Sequence, residues 1–112
     1  LTFDRFLVYE LRKDAHPQLQ FVLCLTSTAN SYRNAVKNIS FLPLIPGGVY
    51  ADHDPYRVPI RPGATRLTSK LYVAVDAIQT INRAAFLPGD RGRIGATEER
   101  EVREKLATWL GI

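Results

Sequence analysis

Sustained helical periodicity occurs in one place in this chain, at its end. In "GATEEREVREKLATWLGI", residues 95–112, Val102, Leu106, Trp109 and Leu110 fall at i, i+4, i+7 and i+8, one apolar helix face. Thr97 is the expected N-cap, with Glu98 and Glu99 where the helix dipole favours negative charge. Gly111 stands where a left-handed C-terminal residue is expected, and Glu101 with Lys105 forms an i,i+4 pair. This reading puts Trp109 in the core. A chain with one such helix must draw most of its core from strands.

The upstream segments read accordingly. "FDRFLVYEL" alternates, with Phe6, Val8 and Glu10 on one side and Leu7, Tyr9 and Leu11 on the other. After the turn-rich "RKDAHPQ", the stretch "LQFVLCLT" is apolar nearly throughout, as a central strand is. "STANSYRNAVKN" reads as a polar loop with at most one helical turn. "ISFLPL" is a third strand whose Pro43 lacks a ladder donor, which predicts an edge or a bulge. "YRVPIR" is short and β-like. "KLYVAVDAIQTINRAAF" supplies two further strand-like runs joined at Asp76, and "LPGDRG" closes the β region. The expected architecture is a mainly β, strongly bent small barrel or sheet capped by the C-terminal helix, a single domain over residues 1–112.

Composition narrows the setting. No apolar run approaches the roughly 20 residues that span a bilayer. One cysteine, Cys24, excludes an intramolecular disulfide and reads as a buried thiol, which fits a reducing cytoplasm. The net charge of +4 is uneven: Arg5, Arg12, Lys13, Arg33, Lys37, Arg57, Arg61, Arg66 and Lys70 face only Asp4, Glu10, Asp14, Asp52 and Asp54 in the first two-thirds. Such a surface attracts a polyanion, either nucleic acid or an acidic protein segment. It serves solubility equally well.

The familiar phosphate-binding, dinucleotide, zinc-protease and serine-hydrolase motifs are absent. His16 and His53 both lie in polar loops, and "ADHDP" reads as a solvated turn rather than a metal site. No cofactor is expected.

The order of "NISFLPL", "YRVPIRPG", "SKLYVAVDAIQTINRAAF" and "GRIGATEEREVREKLATWLGI" resembles the MazF/PemK (Kid) family of bacterial toxins. "LYVAVDAIQTINR" keeps that family's strand-end Asp, its Thr-Ile pair and its terminal Arg, here Asp76, Thr80-Ile81 and Arg83. The resemblance covers the C-terminal two-thirds. It implies an SH3-like twisted β-barrel, a homodimer, a cognate antitoxin with an acidic segment, and metal-independent cleavage of single-stranded RNA through the 2′-hydroxyl. It also implies a substrate-binding or acid-base role for Asp76; a carboxylate that only bonds turn amides is the bland alternative.

Two departures bear on the chemistry. The family's catalytic Arg-Pro pair before the second strand is replaced by His16-Pro17, and its Thr or Ser after the third strand's Pro by Leu44, Ile45 and Pro46. The expected catalytic set is therefore a rebuilt one: His16 as proton carrier with Arg12 and Asp76. Lys13, Arg57, Arg61 and Gln79 are expected to contact RNA. Exposed apolar residues at Ile45 and Val49 suit pairing with a second copy. The chain also resembles CcdB-like toxins, which share the fold and poison DNA gyrase. "FLVYEL", Leu42-Pro43-Leu44 and the closing Trp109-Leu110-Gly111-Ile112 carry that likeness. On that alternative, Trp109, Gly111 and Ile112 contact gyrase. A catalytically inert binding module of the same fold is the third reading.

Overall fold

A computed structural model describes residues 3–33, 36–48, 51–61 and 65–112. The strands are β1 (Val8–Glu10), β2 (Phe21–Cys24), β3 (Asn38–Pro46), β4 (Arg57–Ile60), β5 (Leu71–Ala74) and β6 (Gln79–Asn82). One helical turn, α1 (Thr28–Ser31), follows β2, and the long helix α2 (Ala96–Leu110) ends the chain. The strands pair antiparallel in the order β1-β2-β3-β5-β4, and β6 also pairs with β3. Among the described residues no ladder joins β4 back to β1, so the barrel expected from the sequence is an open, curled sheet.

Alternation gives this sheet two buried faces. Val8, Leu23, Leu42, Leu44, Val58 and Val73 pack on one side, under Val102 of α2. Tyr9, Val22, Cys24, Ile39 and Phe41 pack on the other, where Phe3 and Phe86 cover them. Because β2 feeds both faces, it reads as an unbroken apolar run. Phe6, which the alternation placed in the first strand, has a left-handed backbone (φ 67°), so the ladder begins only after it. Its ring is buried, and the Arg103 guanidinium lies over it at 4.7 Å.

Pro43 corrects one expectation and explains another. It does not mark an edge, since β3 is the central strand, bonded to β2, β5 and β6. Leu44 pairs with Val73 of β5 and Phe41 with Gln79 of β6. Between those pairs β3 has two residues, Leu42 and Pro43, while the facing chain has five, Ala74 to Ile78. The missing N–H falls at this change of partner, where the facing chain bulges out. Asp76 sits in the bulge.

The C-terminal helix departs from its sequence reading at three points. Gly95, not Thr97, is the N-cap; its N–H donates to Glu98 Oε2 at 2.6 Å. Glu98 is buried and also accepts from Arg61 Nη1 at 3.2 Å. A Cβ on Gly95 would come within 2.7 Å of that carboxylate, so a larger residue there would push the Glu98 side chain out of this position. Lys105 donates to the Arg57 carbonyl rather than pairing along the helix. Trp109 is 48% exposed, its ring edge-on to Tyr56, and is not a core residue. Gly111 takes the expected left-handed cap (φ 73°). Glu98→Ala is expected to lower stability by about 1–3 kcal/mol, because the Gly95 N–H loses its acceptor. The urea midpoint measures this. Arg61→Ala should cost far less, since that side chain is 62% exposed.

Candidate active site

The β1–β2 connection builds the site. A tight turn holds it, with the His16 N–H donating to the Arg12 carbonyl at 3.1 Å, and the Arg12 N–H ties it to the Ala85 carbonyl at 2.8 Å. Leu19 anchors its far end in the core. Between this loop and Leu87 lies a depression of ≈ 490 Å³, whose polar lining is Glu10, Lys13, His16, Gln18 and Gln20. His16 is half-buried, and its Nδ1 is buried without a hydrogen-bond partner. The tautomer with the proton on Nε2 leaves no buried N–H unpaired, which makes His16 a donor toward a ligand.

Glu10 is the residue the sequence reading passed over. It is half-buried and accepts from Gln20 Nε2 through Oε2 at 3.0 Å. Its Oε1 accepts no hydrogen bond among the described residues. A signal was present: Glu10 is a carboxylate on the strand side that carries Phe6 and Val8. A carboxylate, an imidazole N–H and the Lys13 ammonium thus line one hollow. That set can accept a proton, deliver one and stabilise anionic charge.

The other expected site residues are distributed elsewhere. Arg12 is half-exposed and engages Asp14 through Nε at 3.2 Å and Nη2 at 2.8 Å, which raises the guanidinium and holds the Asp14 carboxyl below its usual range. Asp76 bonds Arg57 Nη1 at 2.6 Å, and Arg57 Nη2 also faces Asp54 at 3.9 Å. The bulge holding Asp76 lies beside Leu42 and Pro43. The loop containing His16 adjoins the opposite end of β5, near Pro46 and Leu71. Within this chain the fold therefore does not bring Asp76 to His16. Arg57 and Arg61 are each committed to carboxylates, while Gln79 is exposed on β6. Trp109, Gly111 and Ile112 are exposed at the end of α2. Ile45 is half-buried, and Val49 lies outside the described residues. Cys24 is no nucleophile: burial pushes its thiol up to about 11. Among the described residues no three His, Cys, Asp or Glu side chains gather as a metal-binding set, and no helix is long and apolar enough to cross a membrane.

No protein-family profile and no curated protein sequence matches the chain. Solved structures do. A mycobacterial endoribonuclease in complex with its cognate antitoxin superposes with a TM-score of 0.74 at 19% identity, over 99% of this chain and 95% of that one. The Mycobacterium tuberculosis toxin MazF-mt6 gives 0.74 at 19% identity, over 95% and 97%. A chain of the MazE–MazF structure from Deinococcus radiodurans gives 0.74 at 18%, over 100% and 98%. This is the MazF fold. At such identity the likeness speaks for the architecture, and it extends over the N-terminal third, where the sequence resemblance was weak. On the MazF fold of this chain, His16-Pro17 stands in the loop before β2. Leu44 is packed in the core, and Ile45 beside it is half-buried.

Proposed function

We propose that the protein is a toxin of a toxin–antitoxin pair that cleaves single-stranded RNA without a metal ion. The observation that carries the reading is the convergence of Glu10, His16 and Lys13 on one depression of a MazF fold. In this reading Glu10 takes the proton of a ribose 2′-hydroxyl, whose oxygen attacks the adjacent phosphorus. The bond from phosphorus to the 5′-oxygen breaks, and His16 Nε2–H protonates that oxygen as it leaves. Lys13 stabilises the charge on the pentacoordinate phosphorus. The products are a 2′,3′-cyclic phosphate and a 5′-hydroxyl. Arg12, in the same loop, is held by Asp14 and lies outside the lining of the depression. Asp76 acts indirectly, by fixing Arg57 and the bulge.

The active form in this reading is a homodimer, and its inhibitor is an antitoxin whose acidic segment covers the basic loop. A relative of the same fold is seen with its cognate antitoxin, which supports the second point. The first test is cleavage of single-stranded RNA in excess EDTA. Binding to a non-cleavable 2′-deoxy analogue should fall roughly twentyfold between about 50 and 200 mM salt if some three phosphates are contacted. Affinity that does not change with salt removes the nucleic-acid reading. A second reading, gyrase binding through the C-terminus, is favoured by the exposure of Trp109, Leu110 and Ile112.

A further inference from the structure

A groove of ≈ 250 Å³ runs between the residues just before β1 and the last turns of α2. Phe6, Leu25, Leu106 and Ala107 give it an apolar lining, Arg5 and Arg103 complete it, and no acidic residue lines it. We infer that this groove docks a peptide segment in which an aliphatic side chain is flanked by a carboxylate, and that a partner held there leaves the cleavage depression open. The inference does not depend on the RNA reading.

The corner that carries Arg5 is fixed. Phe6 has a left-handed backbone, which a bulky residue keeps only where its surroundings over-determine it. Its N–H donates to the Cys24 carbonyl at 2.9 Å, and its carbonyl accepts from the Ile94 N–H at 3.3 Å. The Arg5 N–H donates to Thr28 Oγ1 at 3.2 Å, and Arg5 Nε donates to the Leu25 carbonyl at 2.8 Å. Arg103 lies over the Phe6 ring with its Nε 3.7 Å from Glu99, a carboxylate it shares with Arg93. The terminal nitrogens of Arg5 and Arg103 bond nothing among the described residues.

Two guanidiniums with open N–H pairs beside an apolar floor match a carboxylate next to an aliphatic group. Size argues against a small-molecule pocket, which spans roughly 300–1,000 Å³, and suits one peptide side chain. A nucleobase has no ring to stack on, since Phe6 is 2% exposed and already carries a guanidinium. The groove lies at the open ends of β1 and β2, whereas the cleavage depression lies at their connection. A partner docked in the groove therefore stays bound while RNA is held.

The test is fluorescence anisotropy of a labelled, end-blocked hexapeptide alternating leucine and glutamate, titrated with the whole protein. It should bind about fivefold to tenfold more tightly than the same peptide with glutamine for glutamate or glycine for leucine. Arg5→Gln and Arg103→Gln should each remove the preference for glutamate, with the fold checked by circular dichroism. Ala107→Glu, on a half-buried helix position that glutamate suits, should reverse that preference by repulsion. All three variants should bind a single-stranded 2′-deoxy oligomer as the wild type does, and saturating oligomer should leave the peptide in place. Equal affinity for the three peptides overturns the inference, as does a preference unchanged in every variant. Displacement of the peptide by the oligomer assigns the groove to nucleic acid and overturns it too. Light scattering in which the peptide splits a dimer assigns the groove to a second copy, with the same result. An oligomer that does not bind, with the peptide preference intact, removes the RNA reading alone.

Discussion

His16→Ala is expected to lower RNA cleavage about 10²–10⁴-fold in a protein that still folds. The imidazole contributes little to the core, being only half-buried with its Nδ1 unpartnered, so thermal melting should hardly move. Growth arrest on expression should disappear with the activity. Glu10→Ala is expected to act alike, whereas Asp76→Asn should change stability more than rate, because its partner is Arg57. A contrary pattern has a definite meaning. If His16→Ala remains fully toxic, while deletion of Gly111 and Ile112 removes toxicity from a folded protein, the target is a protein bound by the C-terminus. Gyrase is the first to test.

Phe86→Ala should be the most damaging substitution outside the site, lowering stability by about 3–5 kcal/mol. Among the described residues the second face of the sheet has no long helix over it. Its cover is a cluster of rings: Phe86 lies 4.8 Å from Phe3, 6.2 Å from Tyr9 and 6.3 Å from Phe41, the last two edge-on. Removing the ring shared by all three leaves a cavity that those three rings cannot all move to close. For a domain of this size such a loss consumes much of the total stability. Chemical denaturation measures it, and a loss below about 1 kcal/mol would mean that the cover is held elsewhere.

The parts of this fold legible in the sequence are those set by local periodicity. The helix over 96–110, the double-sided β2 and the strand pair flanking Asp76 each repeat at a spacing that a short window reveals. Pro43 announced an edge or a bulge, and a bulge is there in the facing chain; a missing donor marks a break in a ladder without saying whether the strand is central. Trp109 was misplaced because periodicity gives a direction on the helix, not how far the sheet extends beneath it. The site was half legible. His16 and Lys13 stood out by type in a turn. Glu10 did not, since its partnership with Gln20 depends on the register in which Glu10 faces Phe21, and that is a tertiary fact. The charge census likewise named Arg57 and Arg61 without the carboxylates that engage them.

The bulge opposite Pro43 has a consequence for how the chain finds its alignment. A two-residue slip of β5 or β6 along β3 would put an imino nitrogen within a continuous ladder, costing a hydrogen bond at every wrong register. Pro43 therefore acts as a ratchet tooth, allowing the two strands to dock on either side of it and penalising every slide across it. The slack lies in Asp76–Ile78, past the pairing of Ala74 with Arg57 of β4 and the bond from the Val75 N–H to the Tyr56 carbonyl. Extra residues there would lengthen an outward loop without shifting the strands on either side. The fold thus holds a place where the reach of Asp76 and its neighbours can be altered while the two buried faces stay in register.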